Sequence, residues 1–403
     1  MSSLEQHSQW STVLEIHLKL TQEGFRSLIA GGAVRDLLLG VTPNDIDIAT
    51  NATPEQVEAL FEKTVMVGRQ FGVSRVILNG QDIEVATFRT DGEYKDGRKP
   101  EKVTYSSEKE DALRRDFTIN GMFYDPIKKE VIDYVSGQKD LMQRMIRTVG
   151  DPNLRFKEDK LRVLRAIRFM SQLGFHIEQP TQEAMKLYSE SLDQVSMERI
   201  RDEWLKLLKG QHVIGALAKA YDLKIWGKLF DNWNHKPEMY NHIWSQGGFD
   251  DDKLWVLWFL IHVRESREKL AELGFHWKLP KELIKKIIFC YDSLSLLKGL
   301  NKTEAVDVAI FLAQPHGRLA VEVYESIHRG KLKEDWSKRL QEGKAFFKGL
   351  ERLPEPLVTG EDLIRFGMTP GPEIAKKLKE LYRNQLKFKV VQKEELLKKL
   401  IKK

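Results

Sequence analysis

The chain has 403 residues, 41% of them hydrophobic, with 65 Lys and Arg against 59 Asp and Glu. That length suggests two to four domains with real cores, and the net charge of +6 permits a polyanionic partner without requiring one. The single cysteine, Cys290, excludes an intrachain disulfide and a cysteine zinc site, and no apolar run is long enough to span a membrane.

The opening MSSLEQHSQWSTVLEIHLKL is neither a signal peptide nor Arg-rich like a transit peptide, so a cytoplasmic protein is expected. Residues 4–24 read as an amphipathic helix, apolar at Leu14, Ile16, Leu18 and Leu20 and ended by Gly24. FRSLIAGG is a short strand running into Gly31 and Gly32. Neither glycine has a side chain, so a bulky anion can approach their backbone N–H groups closely. AVRDLLLG then reads as one or two helical turns, with Arg35 placed to add a charge-assisted contact. Asp45-Ile46-Asp47-Ile48 reads as a strand, with both aspartates on one face and both isoleucines in the core. Two such carboxylates can hold Mg²⁺ together with substrate phosphates. A Gly-Gly pair alone is usually a turn, and a lone Asp-x-Asp is usually a solvated strand edge. Their conjunction is equipment for nucleotidyl transfer.

TPEQVEALFEK is a helix with a Thr-Pro start. TVMVGR, GVSRVIL and DIEVATFR are strand-like, which makes residues 25–88 a small mixed sheet with helices against it. Glu84 lies on the last of these runs. It is either a third carboxylate for the metal cluster or simply part of a polar strand face beside Asp82. Residues 89–104, RTDGEYKDGRKPEKVT, read as a mobile loop. Beyond about residue 140 strand signals fade, and helices follow one another, broken at Gly174, Pro180, Gly210, Pro237, Gly247–Gly248, Pro280 and Pro315. Six of the nine tryptophans fall between Trp226 and Trp277. Such a cluster can stack on bases but more often forms core. His235 and His242 lack metal-site spacing and read as structural or surface residues. Residues 371–403 carry eleven Lys and Arg against four Glu, a net of +7, leaving the remainder at −1. This tail is either a solvated amphipathic helix or an RNA contact.

The pattern GG-x-VRD, short helix, Gly, D-x-D resembles the first motif of the class II tRNA nucleotidyltransferase and bacterial poly(A) polymerase family, and the match is complete. Arg114-Arg115-Asp116-Phe117-Thr118-Ile119-Asn120 matches that family's second motif, with Gly121 where many members have Ala. A buried Arg-Asp pair beside an Asn suits ribose hydroxyls and phosphate, and the resemblance assigns sugar selection here, with Arg115 the leading nucleotide contact. DYVSGQKDL, with Asp133 and Gly137, resembles the third, hinge-like motif more weakly.

Arg155 to Phe169 contains Glu158-Asp159-Lys160-Leu161-Arg162, which fits the fourth motif, ED-x-x-R. The helical pattern puts Asp159 and Arg162 on one face, with Arg165 and Arg168 continuing the row. A pair at this spacing is ordinarily a surface ion pair. Cytosine and adenine, however, both present an amino donor beside a ring-nitrogen acceptor, whereas guanine and uracil reverse that order. A carboxylate and a guanidinium side by side would therefore accept C and A and reject G and U. The resemblance names the same two positions, and Arg165 and Arg168 would serve the triphosphate. SMERIRDE, from Ser196, resembles the fifth motif, with Ser196 as a helix N-cap. GEDLIRFGMTPGPEIAKKLKELY resembles the family's tail. The resemblance is thus dense over 28–205, sparse over 210–355, and returns at 360–385.

The resemblance implies an α/β head, a nucleotidyltransferase palm with a mixed β-sheet, followed by an elongated all-α arm. The expected division is a head at 1–145, a nucleotide-selecting helical neck at 146–210, a helical body at 211–355 and a basic helical tail at 356–403. The implied activity is template-independent addition of the 3′-terminal CCA to tRNA from CTP and ATP, by two-metal transfer with Mg²⁺. Asp45, Asp47 and Glu84 would be catalytic, the two aspartates holding metal. Gly31, Gly32, Arg35, Arg115, Asp116, Asn120, Glu158, Asp159, Arg162, Arg165 and Arg168 would bind nucleotide. The arm would clamp the tRNA acceptor end through phosphates and shape. The full-length loop at 89–104 argues against an enzyme that adds only the two cytidines. An A-adding enzyme or a poly(A) polymerase is the nearest alternative, because Val67-Gly68-Arg69-Gln70-Phe71 partly resembles a polymerase stretch. An inactive RNA-binding relative would be expected to have lost Asp45 or Asp47. A small-molecule nucleotidyltransferase would not need the second and fourth motifs.

Overall fold

The structure, a computed structural model, describes residues 4–401 apart from 67–71, 93–102, 226–228, 230–239, 263–265, 330 and 348–351. The chain divides into two compact units, residues 1–247 and 248–403.

The first unit starts with α1 (Trp10–Gln22), which buries Val13, Ile16 and Leu20. Helix was expected from residue 4. Instead Leu4 is buried, and its carbonyl and that of His7 accept turn-type bonds from His7 and Trp10, so the chain enters the helix late. Next come β1 (Ser27–Ala30), α2 (Gly32–Leu38), β2 (Asp47–Thr50), α3 (Pro54–Leu60), β3 (Thr64–Met66), β4 (Val73–Leu78) and β5 (Gln81–Thr87). The Thr53 hydroxyl and Gln56 form a reciprocal capping box with Pro54 at the first turn of α3, as the Thr-Pro start predicts. After these follow β6 (Arg89–Asp91), β7 (Val103–Tyr105), α4 (Glu108–Leu113), β8 (Met122–Asp125) and β9 (Glu130–Asp133).

Seven strands form one sheet in the order β3-β4-β5-β2-β1-β8-β9. Only β2 and β5 run parallel; every other neighbouring pair is antiparallel. The sheet therefore extends past the expected limit at residue 88. The sequence signal for β8 is weak because all four of its residues are buried, which removes the alternation that marks a half-exposed strand. One face packs Ile29, Ile46, Ile48, Val76, Ile83 and Val85 against α1, α2 and α3. The other gathers Leu28, Ala30, Ala49, Phe88, Ala112 and Phe123. The two ends of the expected loop at 89–104 are paired strands, Arg89 opposite Tyr105, and its centre lies outside the described residues.

The unit continues through α5 (Gly137–Met142), β10 (Met145–Ile146), α6 (Pro152–Glu158), α7 (Leu161–Leu173), β11 (His176–Ile177), α8 (Gln179–Tyr188), α9 (Met197–Leu208), α10 (Val213–Asp222) and α11 (Asn241–Trp244). β10 and β11 form a two-residue parallel pair that the fading strand signal did not announce. Gly174 ends α7 with φ +67°, and the Ser171 hydroxyl donates to the Leu207 carbonyl at 2.6 Å, fastening α7 to α9.

The second unit is helical: α12 (Asp251–His262), α13 (Arg267–His276), α14 (Lys281–Lys298), α15 (Ala305–Leu312), α16 (Gly317–Ile327), α17 (Glu334–Lys344), α18 (Gly360–Arg365), α19 (Pro372–Phe388) and α20 (Lys393–Ile401). Trp244 in the first unit and Trp255, Trp258 and Trp277 in the second are buried, which matches the core reading; Trp226 and Trp233 lie outside the described residues, as does His235. Cys290 is buried, and burial pushes its thiol up to about 12. The last three helices share a small core of Val358, Leu363, Leu381, Val390 and Leu396. Arg383 on α19 is paired with Glu304 and with Asp307 on α15. No helix among the described residues is long and apolar enough to cross a membrane.

Candidate active site

β2 starts at Asp47, two residues later than the expected strand, so Asp45 sits in the irregular segment just before it. The alternation nonetheless holds. Ile46 and Ile48 are buried in the core, while Asp45 is exposed and Asp47 half-buried on the opposite side. The parallel register pairs Ile48 with Val85, Ala49 with Ala86 and Thr50 with Thr87. One step back along it, Asp47 comes level with Glu84, whose partner on β4 is Arg75. The electrostatics report this crowding. Burial, then Glu84 and Asp45, push the Asp47 carboxyl up to about 7, against the pull of Arg115. Lost solvation and Asp45 also raise Glu84. Among the described residues no group of three or more His, Cys, Asp or Glu is placed to hold a metal ion, so Glu84 does not join Asp45 and Asp47 as the third ligand of a cluster.

The two glycines do not stand bare. Gly31 has φ +71°, and a Cβ built there would lie 2.9 Å from Arg115 Nη1. A Cβ at Gly32 would touch the Arg35 guanidinium at 3.5 Å. The missing side chains let two guanidiniums lie close over the β1–α2 turn.

From there a polar relay runs through the unit. Arg35 donates to Asn120 Oδ1 at 2.8 Å, Asn120 Nδ2 to Asp116 Oδ1 at 3.3 Å, and Arg165 Nε to Asp116 Oδ2 at 2.7 Å. Glu203 on α9 then bridges Arg165 (3.6 Å) and Arg168 (2.7 Å). Burial opposes the Asp116 charge, but Arg165, Arg162 and the Phe117 N–H together hold the carboxyl down at about 2. Burial lowers Arg168 to about 10 despite Glu203. Phe169 lies beneath three guanidiniums, those of Arg35 (5.4 Å), Arg165 (5.6 Å) and Arg168 (4.0 Å).

Two expected pairings are replaced. Arg115 and Asp116 do not pair with each other. Arg115 turns to Asp111 (3.0 Å) and the Asn120 carbonyl (3.3 Å), and Asp116 turns to Arg165. Nor do Asp159 and Arg162 share a continuous helix face. α6 ends at Glu158, Asp159 is extended (φ −145°, ψ 105°), and its Oδ1 accepts the Leu161 N–H at the start of α7. Asp, whose side chain competes for backbone N–H groups, favours such a break. Arg162, Arg165 and Arg168 remain on α7, whereas Asp159 leaves their row. Arg162 is held by Glu158 at 2.6 Å and by the Arg155 carbonyl at 2.9 Å. Asp159 is held by both arms of Arg199, at 2.7 and 3.2 Å.

Residues 27–147 match the family described as Poly A polymerase head domain, and residues 174–237 the one described as Probable RNA and SrmB- binding site of polymerase A. A CCA-adding enzyme of Bacillus pumilus is 38% identical over 366 residues, 89% of this chain and 88% of that protein. Another, of Anoxybacillus flavithermus, is 35% identical over 97% of this chain and 96% of its own length. The chain belongs to the CCA-adding enzyme family. The crystal structure of the Bacillus stearothermophilus CCA-adding enzyme in complex with CTP is similar in fold, with a TM-score of 0.83 at 29% identity over 98% of this chain and 99% of that one.

In this family member the third motif is a clamp. Asp133 accepts the N–H groups of Val135, Gly137 and Gln138. A Cβ at Gly137 would fall 2.3 Å from the Thr118 carbonyl, so only glycine lets α5 approach the second motif this closely. Thr118 in turn donates to Asp140 at 2.7 Å. Ser196 does precede α9 as its N-cap, but its side chain makes no capping bond. Asp111, Arg155, Arg199 and Glu203 are the residues that sequence reasoning passed over. Arg199 and Glu203 stand inside the quoted SMERIRDE, but nothing in their spacing says that they turn back onto Asp159, Arg165 and Arg168.

Proposed function

We propose that this protein adds CCA to the 3′ end of tRNA, using CTP and ATP and no nucleic-acid template. The observation that supports it most is the polar relay from Arg35, seated over the β1–α2 turn, through Asn120 and Asp116 to Arg165 on α7, in a chain of the CCA-adding enzyme family.

The donor set fits Mg²⁺. Asp45 and Asp47 are hard oxygen ligands, and their mutual repulsion with Glu84 is what a divalent ion would relieve. Asp45 and Asp47 would hold the ion, with substrate phosphates and water completing the shell. When bound, it lowers the cost of charge on the attacking 3′-hydroxyl oxygen and on the leaving pyrophosphate. The remaining work falls to this chain's own residues. Arg115 and Arg35, seated over the glycines, are placed for the sugar and phosphates. Arg165 and Arg168 present cationic charge backed by Asp116 and Glu203. Asp159 accepts from the base amino group and Arg162 donates to the ring nitrogen, which selects C and A over U and G. Each Asp159 oxygen has two lone pairs, so the Arg199 grip leaves acceptor capacity for the base. Positioning and charge stabilisation suffice, and no covalent enzyme intermediate is needed.

The test is extension of three RNAs: tRNA ending at the discriminator base, tRNA ending in CC, and an unrelated oligonucleotide. Each receives CTP, ATP or both, with products sized to one nucleotide. Three residues added to the first tRNA, followed by arrest, is the expected result. One A on the CC-ended tRNA with no use of CTP would make the protein an A-adding enzyme. Long tails on the unrelated RNA would make it a poly(A) polymerase.

A further inference from the structure

We propose that Arg155 is a positioning residue for base selection: it ties the turn carrying Asp159 and Arg162 to the segment carrying Arg115 and Asp116. The inference rests on reading Asp159 and Arg162 as the groups that face the base.

Each nitrogen of the Arg155 guanidinium is engaged. Nε donates to the Val149 carbonyl at 2.9 Å, Nη2 to the Leu113 carbonyl at 2.8 Å, and Nη1 to the Glu158 carboxylate at 3.0 and 3.2 Å. The two carbonyls belong to segments that are bonded to each other. Val149 N donates to the Asp116 carbonyl at 3.1 Å, Thr118 N donates to the Arg147 carbonyl at 2.9 Å, and Phe117 and Thr148 form an antiparallel bridge between these bonds. Leu113 immediately precedes Arg114, Arg115 and Asp116. Glu158, on the other side of Arg155, is the carboxylate that holds Arg162, and the Arg155 carbonyl takes a second bond from the same Arg162 Nη1. Arg155 thus bridges the sugar-and-phosphate contacts and the base contacts, alongside the longer bond from Arg162 Nη2 to the Arg114 carbonyl at 3.5 Å and the Arg165–Asp116 pair at 2.7 Å.

Discrimination between C and U depends on that distance. The two bases differ by exchange of donor and acceptor on one edge, so the protein's acceptor and donor must meet that edge in register. A displacement of about 1 Å can cost about 100-fold in rate. Arginine suits the task because its planar fork meets three acceptors at fixed angles. A lysine ammonium could satisfy Glu158 but could not also span the two carbonyls.

The experiment uses the full-length protein as wild type, R155K and R155M. Kinetic constants are measured for CTP and UTP on tRNA ending at the discriminator base, and for ATP and GTP on CC-ended tRNA, with thermal melting in parallel. We expect R155M to raise KM for CTP and to lower the CTP-over-UTP and ATP-over-GTP preferences by about 10- to 100-fold, with R155K between it and wild type. R155K alone carries the test if R155M does not fold. Equal losses for all four nucleotides, or unchanged preferences, would overturn the proposal. Wild-type protein that adds no CCA at all would instead overturn the functional reading beneath it.

Discussion

Arg199 grips Asp159 with both arms, Nη2 to Oδ2 at 2.7 Å and Nη1 to Oδ1 at 3.2 Å, from a helix forty residues further along the chain. The grip fixes the plane of the carboxylate as well as its charge. We predict that R199Q lowers single-turnover addition of C and of A by about 10- to 100-fold, and that R199K restores only part because a lysine is a point donor. Wild-type rates in R199Q would show that Asp159 needs no such support.

Asp116 gives a pH signature. Burial raises its pKa, but Arg165, Arg162 and the Phe117 N–H together depress the folded-state value to about 2, below the unfolded value near 3.9. A depressed carboxyl stabilises the fold above the unfolded pKa, and that stabilisation is lost as pH falls toward 2. Its size is about 2.6 kcal/mol. Denaturant melts of wild type and D116N should therefore differ most at pH 6, and the difference should narrow by about half on going to pH 3. A gap that stays constant across this range would count against the ion pair as its origin.

Asp47 has the opposite sign. Its pKa is raised to about 7, so without metal its ionisation weighs against the fold as pH rises from about 4 through 7. D47N, melted in chelator, should be more stable than wild type at pH 8 and no more stable at pH 4. Millimolar Mg²⁺ should raise the melting temperature of wild type above pH 7, lose that effect below pH 6, and leave D47N unmoved.

The two motif glycines should fail differently. G137A drives a methyl group to 2.3 Å from the Thr118 backbone oxygen, where neither side can yield cheaply. It should cost about 1–3 kcal/mol, read as a lowered denaturant midpoint. G31A meets a positive φ and the movable end of Arg115. It should cost about 1–2 kcal/mol in stability and, in addition, raise KM for both nucleotides. If G31A melts lower while its kinetics match wild type, the seat over Gly31 has no part in substrate binding.

The sequence by itself determined the parts whose information is local. The Asp45/Asp47 alternation around Ile46 and Ile48, the capped α3, the glycines before α2 and the breaks between helices follow from backbone sterics and two periodicities. The motifs named segments that the fold brings together, with Arg35, Asn120, Asp116 and Arg165 bonded in one relay. Partner choice was not legible. Asp159 and Arg162 at i, i+3 look paired on paper, yet the chain breaks at Asp159 and each finds its partner elsewhere. Asp116 likewise passes over its neighbour Arg115 for Arg165, forty-nine residues away. The four buried residues of β8 gave no alternation to read. A buried charge must be met by whatever opposite charge the packing brings within about 3 Å, and that is decided by how α7, α9 and the head segment come together in space, which no spacing within one segment encodes.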